Sequence, residues 1–100
     1  MRHKMDDATI VDTEKATNCW EENTYWDGRN HISVPTGSQW DHETLYRSRK
    51  GRFYLVHSSQ WQGSQSRAEW ISNHSAATWL LENEHPLPEE LASIENEIIE

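Results

Sequence analysis

The spacing of the apolar residues changes once along this chain, near residue 72, and this change limits the folds that the chain can adopt. Before it, short runs rich in β-branched and aromatic residues, at 43–48 and 53–57, flank a connection that contains Gly51. After it, residues 76–81 repeat apolar side chains at helical spacing. Strands followed by helices predict an α+β fold with an antiparallel sheet and the helices on one side of it.

One hundred residues correspond to a single domain, which the pattern places at 13–100. The predicted sheet is an antiparallel β-meander of four to five strands at about 13–71. Two C-terminal helices are predicted at about 73–83 and 88–100. Residues 1–12 are polar and lack a period, apart from a short strand at 8–11, so they predict a flexible tail.

Local signals place the ends of several elements. Residues 12–23 fit both a helix and a strand, and a strand that ends at Trp26 is favoured. Asp27-Gly28 predicts a hairpin turn that leads into a strand at 31–34. In the second hairpin, Leu45, Phe53 and Leu55 are predicted to face the core, and Ser72 or Asn73 is predicted to cap the first helix.

The composition indicates a folded protein of a reducing compartment. Apolar residues make up only 34% of the chain, but six tryptophans can each bury a large surface. Cys19 is the only cysteine, so no intramolecular disulfide can form. The chain shows no apolar leader and no stretch long enough to span a membrane. We therefore expect a cytoplasmic protein that is a monomer or a homodimer.

The net charge of −8 is spread unevenly. Seven acidic residues lie between Asp6 and Asp27 and seven more between Glu82 and Glu100, whereas five basic residues and no acid lie at 44–67. One interpretation is a solvated surface that keeps the protein soluble. The other is an acidic face that repels nucleic acid and attracts a basic partner.

The tripeptide Ser-Gln-Trp occurs at 38–40 and again at 59–61. In a meander of strands 31–34, 43–48 and 53–57, both copies lie at one edge of the sheet and the basic turn at 47–52 lies at the opposite edge. A tryptophan on a polar loop either folds back onto the core or contacts a partner. Both possibilities stay open for Trp40 and Trp61.

Basic and aromatic residues alternate around the turn at 47–52, which is the only pattern typical of nucleic-acid binding. The residues that would bind nucleic acid are Arg47, Arg49, Lys50 and Arg52. The competing interpretation is a solvated hairpin tip that faces the acidic C-terminal helix.

Catalytic and metal-binding patterns are missing from the sequence. It has no Gly-rich phosphate loop and no nucleophile elbow, and Cys19 has no local partner for catalysis. The histidines lack ligand-like spacing, and His42 between Asp41 and Glu43 is the least implausible metal ligand. We expect no enzyme, no cofactor and no metal.

The stretch from Tyr25 to Asn83 resembles a group of small proteins carried by bacterial phages and mobile elements. The resemblance rests on Leu45-Tyr46-Arg47-Ser48, Gly51-Arg52-Phe53-Tyr54-Leu55, Ser58-Ser59-Gln60-Trp61 and Ala76-Ala77-Thr78-Trp79-Leu80. Small acidic products of such elements include anti-CRISPR proteins, which are similar to this chain in size and charge. The resemblance implies no catalytic residue.

The sequence therefore predicts a non-enzymatic inhibitor or adaptor that covers the surface of another protein, with an acidic face, able to mimic nucleic acid, and Trp-bearing loops. The predicted contact residues are Gln39, Trp40, Asp41, Gln60, Trp61, Gln62, Glu89 and Glu90. The alternative is a nucleic-acid-binding accessory protein that uses the basic hairpin, and a third possibility is a small enzyme whose site only the fold would reveal.

Overall fold

The computed structural model describes residues 1–60 and 65–99. Its antiparallel strands and two C-terminal helices confirm the α+β class. The strands are β1 (Arg2–Lys4), β2 (Ile10–Asp12), β3 (Asn18–Glu21), β4 (Thr24–Trp26), β5 (His31–Ser33), β6 (Asp41–Arg47), β7 (Phe53–Ser59) and β8 (Arg67–Trp70). The helices are α1 (Asn73–Glu82) and α2 (Ala92–Ile98).

The central sheet has the strand order β3-β6-β7-β8, and each neighbouring pair is antiparallel. Strands β6, β7 and β8 form the predicted meander. The predicted place of residues 31–34 beside β6 is wrong, because β3 occupies it and sets Trp20 opposite Leu45. The tight turn at Asp27-Gly28 pairs β5 with β4 instead, in a separate two-stranded sheet.

The turn of this second sheet is held by the Asp27 side chain. Its Oδ1 accepts hydrogen bonds from the backbone N–H groups of Arg29 and Asn30, both at 2.8 Å. Gly28 takes a φ of +104°, which a residue without a side chain adopts at little cost. The predicted hairpin at this turn is confirmed.

One face of the central sheet packs against the helices. Leu45, Phe53 and Leu55 are buried there, as their period-two spacing predicts. Helix α1 begins after Ser72, whose hydroxyl accepts a hydrogen bond from the backbone N–H of Ser75 at 3.0 Å. The second predicted helix is shorter than 88–100, because a 3₁₀ turn at Glu89–Leu91 precedes α2 and ends with a buried Leu91.

The other face of the sheet is covered by an antiparallel hairpin of β1 and β2, which we call the N-terminal hairpin. Met5 and Val11 are buried there against Tyr54. The predicted flexible tail at 1–12 is therefore wrong. The physical reason is that the row of Tyr46, Tyr54 and Trp70 makes this face apolar as well, so it needs cover.

The connection between β6 and β7 is a tight turn at residues 48–52. The Ser48 N–H donates to the Arg52 carbonyl at 2.6 Å, and the Arg52 N–H donates to the Ser48 hydroxyl at 3.0 Å. Gly51 has a φ of +91°, a conformation that side chains disfavour. The turn therefore fixes the direction of the basic residues between Ser48 and Arg52.

Neither α1 nor any other helix within residues 1–60 and 65–99 is long and apolar enough to cross a membrane.

Candidate functional site

The register of β6 and β7 divides the candidate residues between the two ends of the sheet. Asp41 lies opposite Ser59 at one end, and Arg47 lies opposite Phe53 at the other. The Gln60 N–H donates to the Trp40 carbonyl at 2.9 Å, so the described parts of the two Ser-Gln-Trp loops are adjacent, as predicted. The remaining predicted contact residues of the second loop, Trp61 and Gln62, lie outside the described residues.

Aromatic side chains are exposed at the end of the sheet where Asp41 lies opposite Ser59. Trp26 is 60% exposed and Tyr25 is 51% exposed on β4, and Trp40 is 39% exposed in the loop before β6. We call these three residues, with Gln39, Asp41 and Gln60 beside them, the aromatic end. Sequence reasoning missed Tyr25 and Trp26 as contact residues, although two adjacent aromatics beside a tight turn have no period that would bury both.

Side chains hold the backbone of the aromatic end through hydrogen bonds. The Ser38 hydroxyl accepts hydrogen bonds from the N–H groups of Trp40 and Asp41, at 3.0 and 3.3 Å. The Asn23 N–H, at the base of the β4–β5 hairpin, donates to the Asn83 side-chain oxygen at 2.8 Å. The exposed aromatic side chains therefore project from a hydrogen-bonded backbone, which Asn83 connects to the C-terminal end of α1.

The predicted acidic part of the contact surface lies elsewhere. Glu89 and Glu90 belong to the 3₁₀ turn before α2, and the Glu90 Oε1 atom is 2.7 Å from the Arg47 Nε atom at the opposite end of the sheet. The structure therefore does not bring Glu90 together with Trp40. It does pair Arg47, at the base of the basic hairpin, with the acidic segment before α2, so the second interpretation of that hairpin holds for this residue.

Histidine and glutamate side chains connect β6, β7 and β8 on the helix-facing side of the sheet. His57 lies between two carboxylates, with its Nδ1 3.0 Å from Glu43 Oε2 and its Nε2 2.9 Å from Glu69 Oε1. The Trp79 indole N–H donates to the other oxygen of Glu43 at 3.1 Å. Each ring nitrogen thus faces a carboxylate, so neither is directed at an open site for a metal or a substrate.

His42, the predicted least implausible metal ligand, is paired with Glu22 at 2.8 Å between its Nδ1 and Glu22 Oε1. No group of three or more potential metal ligands comes together within the part of the chain that the structure describes. The pKa of the Cys19 thiol is raised, because desolvation disfavours the thiolate. This is the opposite of what a catalytic cysteine requires.

The second end of the sheet carries a cleft between the N-terminal hairpin and the turn at 48–52. Of the four predicted nucleic-acid-binding residues, Arg49, Lys50 and Arg52 line it, whereas Arg47 faces the helices and pairs with Glu90. Arg2 and Lys15 line it as well. We call the five cationic residues Arg2, Lys15, Arg49, Lys50 and Arg52 and the cavity between them the basic cleft.

Sequence reasoning missed two members of the basic cleft because it assigned Arg2 to a flexible tail and Lys15 to an ambiguous segment. Arg2 lies on the N-terminal hairpin and Lys15 ends the 3₁₀ turn at Thr13–Lys15 that directly follows it, and no periodic signal revealed the pairing of this hairpin. No family model, no curated protein and no solved structure matches this chain. The function of the chain is therefore inferred from the geometry of the two ends of the sheet.

Proposed function

We propose that this chain is a non-enzymatic binding protein that attaches to another protein through the aromatic end and acts by covering part of that partner's surface. The observation that carries the proposal is the exposure of Trp26, a residue type that is rarely left in water and is enriched among binding hot spots. Its hairpin contributes no apolar side chain to either buried cluster of the described residues. Core packing therefore gives no reason for Tyr25 and Trp26 to be where they are.

The charges around the aromatic end suggest what the partner offers. Exposed acidic residues lie on or next to its segments: Asp27 follows Trp26, Asp41 follows Trp40, and the Glu84 carboxylate accepts a hydrogen bond from the Asn23 side chain at 3.3 Å. The pKa of Asp27 is lowered because its carboxylate accepts backbone hydrogen bonds from Asn30 and Arg29, which keeps the group ionised. A partner surface with an apolar pocket and a basic rim would complement both features.

Preorganisation supports the same function. The base of the β4–β5 hairpin is held by the bond from the Asn23 N–H to Asn83, and the Val34 N–H donates to the Asn23 carbonyl at 2.9 Å. Asn83 is itself buried and donates through its side chain to the Trp79 carbonyl at 2.8 Å. A fixed hairpin loses little conformational entropy on association, so more of the contact energy remains as affinity.

The resemblance to proteins of phages and mobile elements makes a bacterial protein the first partner to test. The parent protein, the double variant Tyr25→Ala/Trp26→Ala and the control Ile10→Ala are immobilised and exposed to a bacterial extract. Ile10 is also an exposed apolar residue, but it lies on the N-terminal hairpin. We expect a protein that the parent and the control retain and the double variant loses, with at least about 30-fold weaker affinity, since hot-spot residues contribute about 2 kcal/mol or more.

Thermal unfolding of the three proteins completes the test. The midpoint of the double variant should stay close to that of the parent, because the removed rings are exposed. Two results would contradict the proposal: a double variant that unfolds far earlier than the parent, or the same set of retained proteins for all three.

A further inference from the structure

The basic cleft concentrates positive charge in a protein whose net charge is −8. Five of its nine lysines and arginines line this one cavity, which has a volume of about 470 Å³. Asp12 is the only acidic residue among the described lining residues. Like charges held this close repel each other in the folded protein, so the arrangement costs stability unless an anion joins them.

The carboxylates near the cleft do not neutralise it. Asp12 is shared between the Arg2 guanidinium, with Nε at 3.7 Å, and the N-terminal amine at 3.6 Å. Asp7 lies 3.5 Å from Arg52, whose guanidinium also stacks 3.8 Å above the Trp70 ring. Lys15, Arg49 and Lys50 form no ion pair with any carboxylate in residues 1–60 and 65–99, and all three are exposed.

A hydrogen-bond donor without a partner lies in the wall of the same cleft. Tyr54 lines the cavity and is fully buried, and its hydroxyl has no hydrogen-bond partner among the described residues. Burial raises the pKa of Tyr54 to about 12, so the hydroxyl keeps its proton and remains a donor at neutral pH. Buried donors are nearly always satisfied in native proteins, so this hydroxyl is a candidate donor to a ligand in the cleft.

Guanidinium and ammonium groups around a neutral O–H donor match the anionic oxygens of a ligand, and several cations in one cleft suit the multiple charges of phosphate groups. The cavity volume lies within the range of about 300–1,000 Å³ that is typical of small-molecule sites. A long polyanion would also meet the repulsion of the net charge of −8, whereas a short one would meet mainly the local cations. These observations favour a small ligand over a nucleic-acid strand.

We infer that the basic cleft binds a small ligand of nucleotide size that carries two or more phosphate groups, held by Lys15, Arg49, Lys50 and Arg52 with the Tyr54 hydroxyl as a neutral donor. This site lies at the opposite end of the sheet from the aromatic end. It does not depend on the proposed binding of a partner protein.

Isothermal titration at low salt tests the inference with the full chain and three probes: inorganic tripolyphosphate, adenosine triphosphate and a twelve-residue oligothymidylate. The variant Arg49→Ala/Lys50→Ala removes two exposed cations from the cleft. The control Lys4→Ala/Arg29→Ala removes two exposed cations elsewhere and changes the net charge equally. We expect saturable binding of both small probes, at least 10-fold weaker in the cleft variant and within 2-fold of the parent in the control.

Three results would overturn the inference. The first is no saturable binding of either small probe to the parent protein. The second is an equal loss in the two double variants, which would mean that only the overall charge matters. The third is an affinity for the oligothymidylate more than 10-fold above the affinity for adenosine triphosphate, which would make the cleft a nucleic-acid site.

Tyr54→Phe tests the neutral donor separately, because it removes the hydroxyl and keeps the buried ring. We expect about 3-fold weaker binding of tripolyphosphate with an unchanged thermal midpoint. An affinity equal to that of the parent would overturn the role of Tyr54 in the site.

Discussion

Truncating Met5 to alanine removes most of a side chain that is only 2% exposed, from between the N-terminal hairpin and the central sheet. The change takes about three methylene-sized groups from an apolar site, and at about 0.8 kcal/mol for each the transfer cost is about 2 kcal/mol. The cavity left behind adds to this cost, and buried methionines truncated to alanine lose about 2–5 kcal/mol in total. The hairpin can settle partly into the space, so we expect a loss of about 2–4 kcal/mol.

Urea unfolding followed by tryptophan fluorescence measures this loss. A domain of this size changes its free energy of unfolding by about 1 kcal/mol per molar urea, so the midpoint should fall by about 2 M or more. The matched control is Ile10→Ala, since Ile10 lies on the same hairpin but is 65% exposed, and it should change stability by less than about 0.5 kcal/mol. Equal midpoints for the two variants would refute the packing of this hairpin on the sheet.

Two further predictions concern buried residues on opposite faces of the sheet. Leu91→Ala should destabilise by about 2–5 kcal/mol in urea unfolding, because Leu91 is fully buried against the helix-side core, whereas Ile99→Ala, at an exposed position, should have little effect. Raising the pH from 10 towards 12 should destabilise the parent by up to about 2–3 kcal/mol, because the unfolded chain loses the Tyr54 proton near pH 10 while burial keeps it on in the fold to about pH 12. Tyr54→Phe should remove this part of the decline in the free energy of unfolding, and Tyr25→Phe, at an exposed position, should not remove it. Parallel alkaline declines of both variants would contradict the assignment.

Elements with a clear period were predictable from the sequence. The β6–β7 hairpin follows from two β-rich runs around Gly51, and its register places Leu45 and Leu55 together on the core side. Helix α1 follows from its apolar spacing and from Ser72 as a cap. In these elements the local pattern and the tertiary packing agree, so the sequence alone was sufficient.

Pairing between distant segments was not predictable. Strands β1 and β2 have three residues each, which is too short for a period of two to show, and only the apolar face around Tyr54 explains why they fold back. The place of β3 beside β6 depends on residues 22–40 leaving the sheet as a separate hairpin and loop. Helix α2 is shorter than its apolar spacing indicates, and its first turn has no side-chain cap.

The candidate sites were also predictable from the sequence only in part. The adjacency of Trp40 and Gln60 follows from strand order, because β6 begins where β7 ends. The contribution of Arg2 and Lys15 to the basic cleft does not follow from strand order, because it requires the fold of the N-terminal hairpin. The pairing of Arg47 with Glu90 likewise needed the structure. The period of two in β6 places Arg47 on the same face as Leu45, but no local signal places Glu90 beside it.

The N-terminal hairpin also sets the order in which this protein can finish folding. Met5 and Val11 leave the ribosome well before Tyr54 and Trp70, the residues that they cover, and roughly fifty positions separate Met5 from Tyr54. Contacts between such distant positions form late and slow folding. Until β7 and β8 have been synthesised, the apolar side of the hairpin has no surface to pack on and remains available to chaperones or to another nascent chain. A ribosome that stalls before residue 70 would therefore release a chain in which Met5 and Val11 have no sheet face to cover.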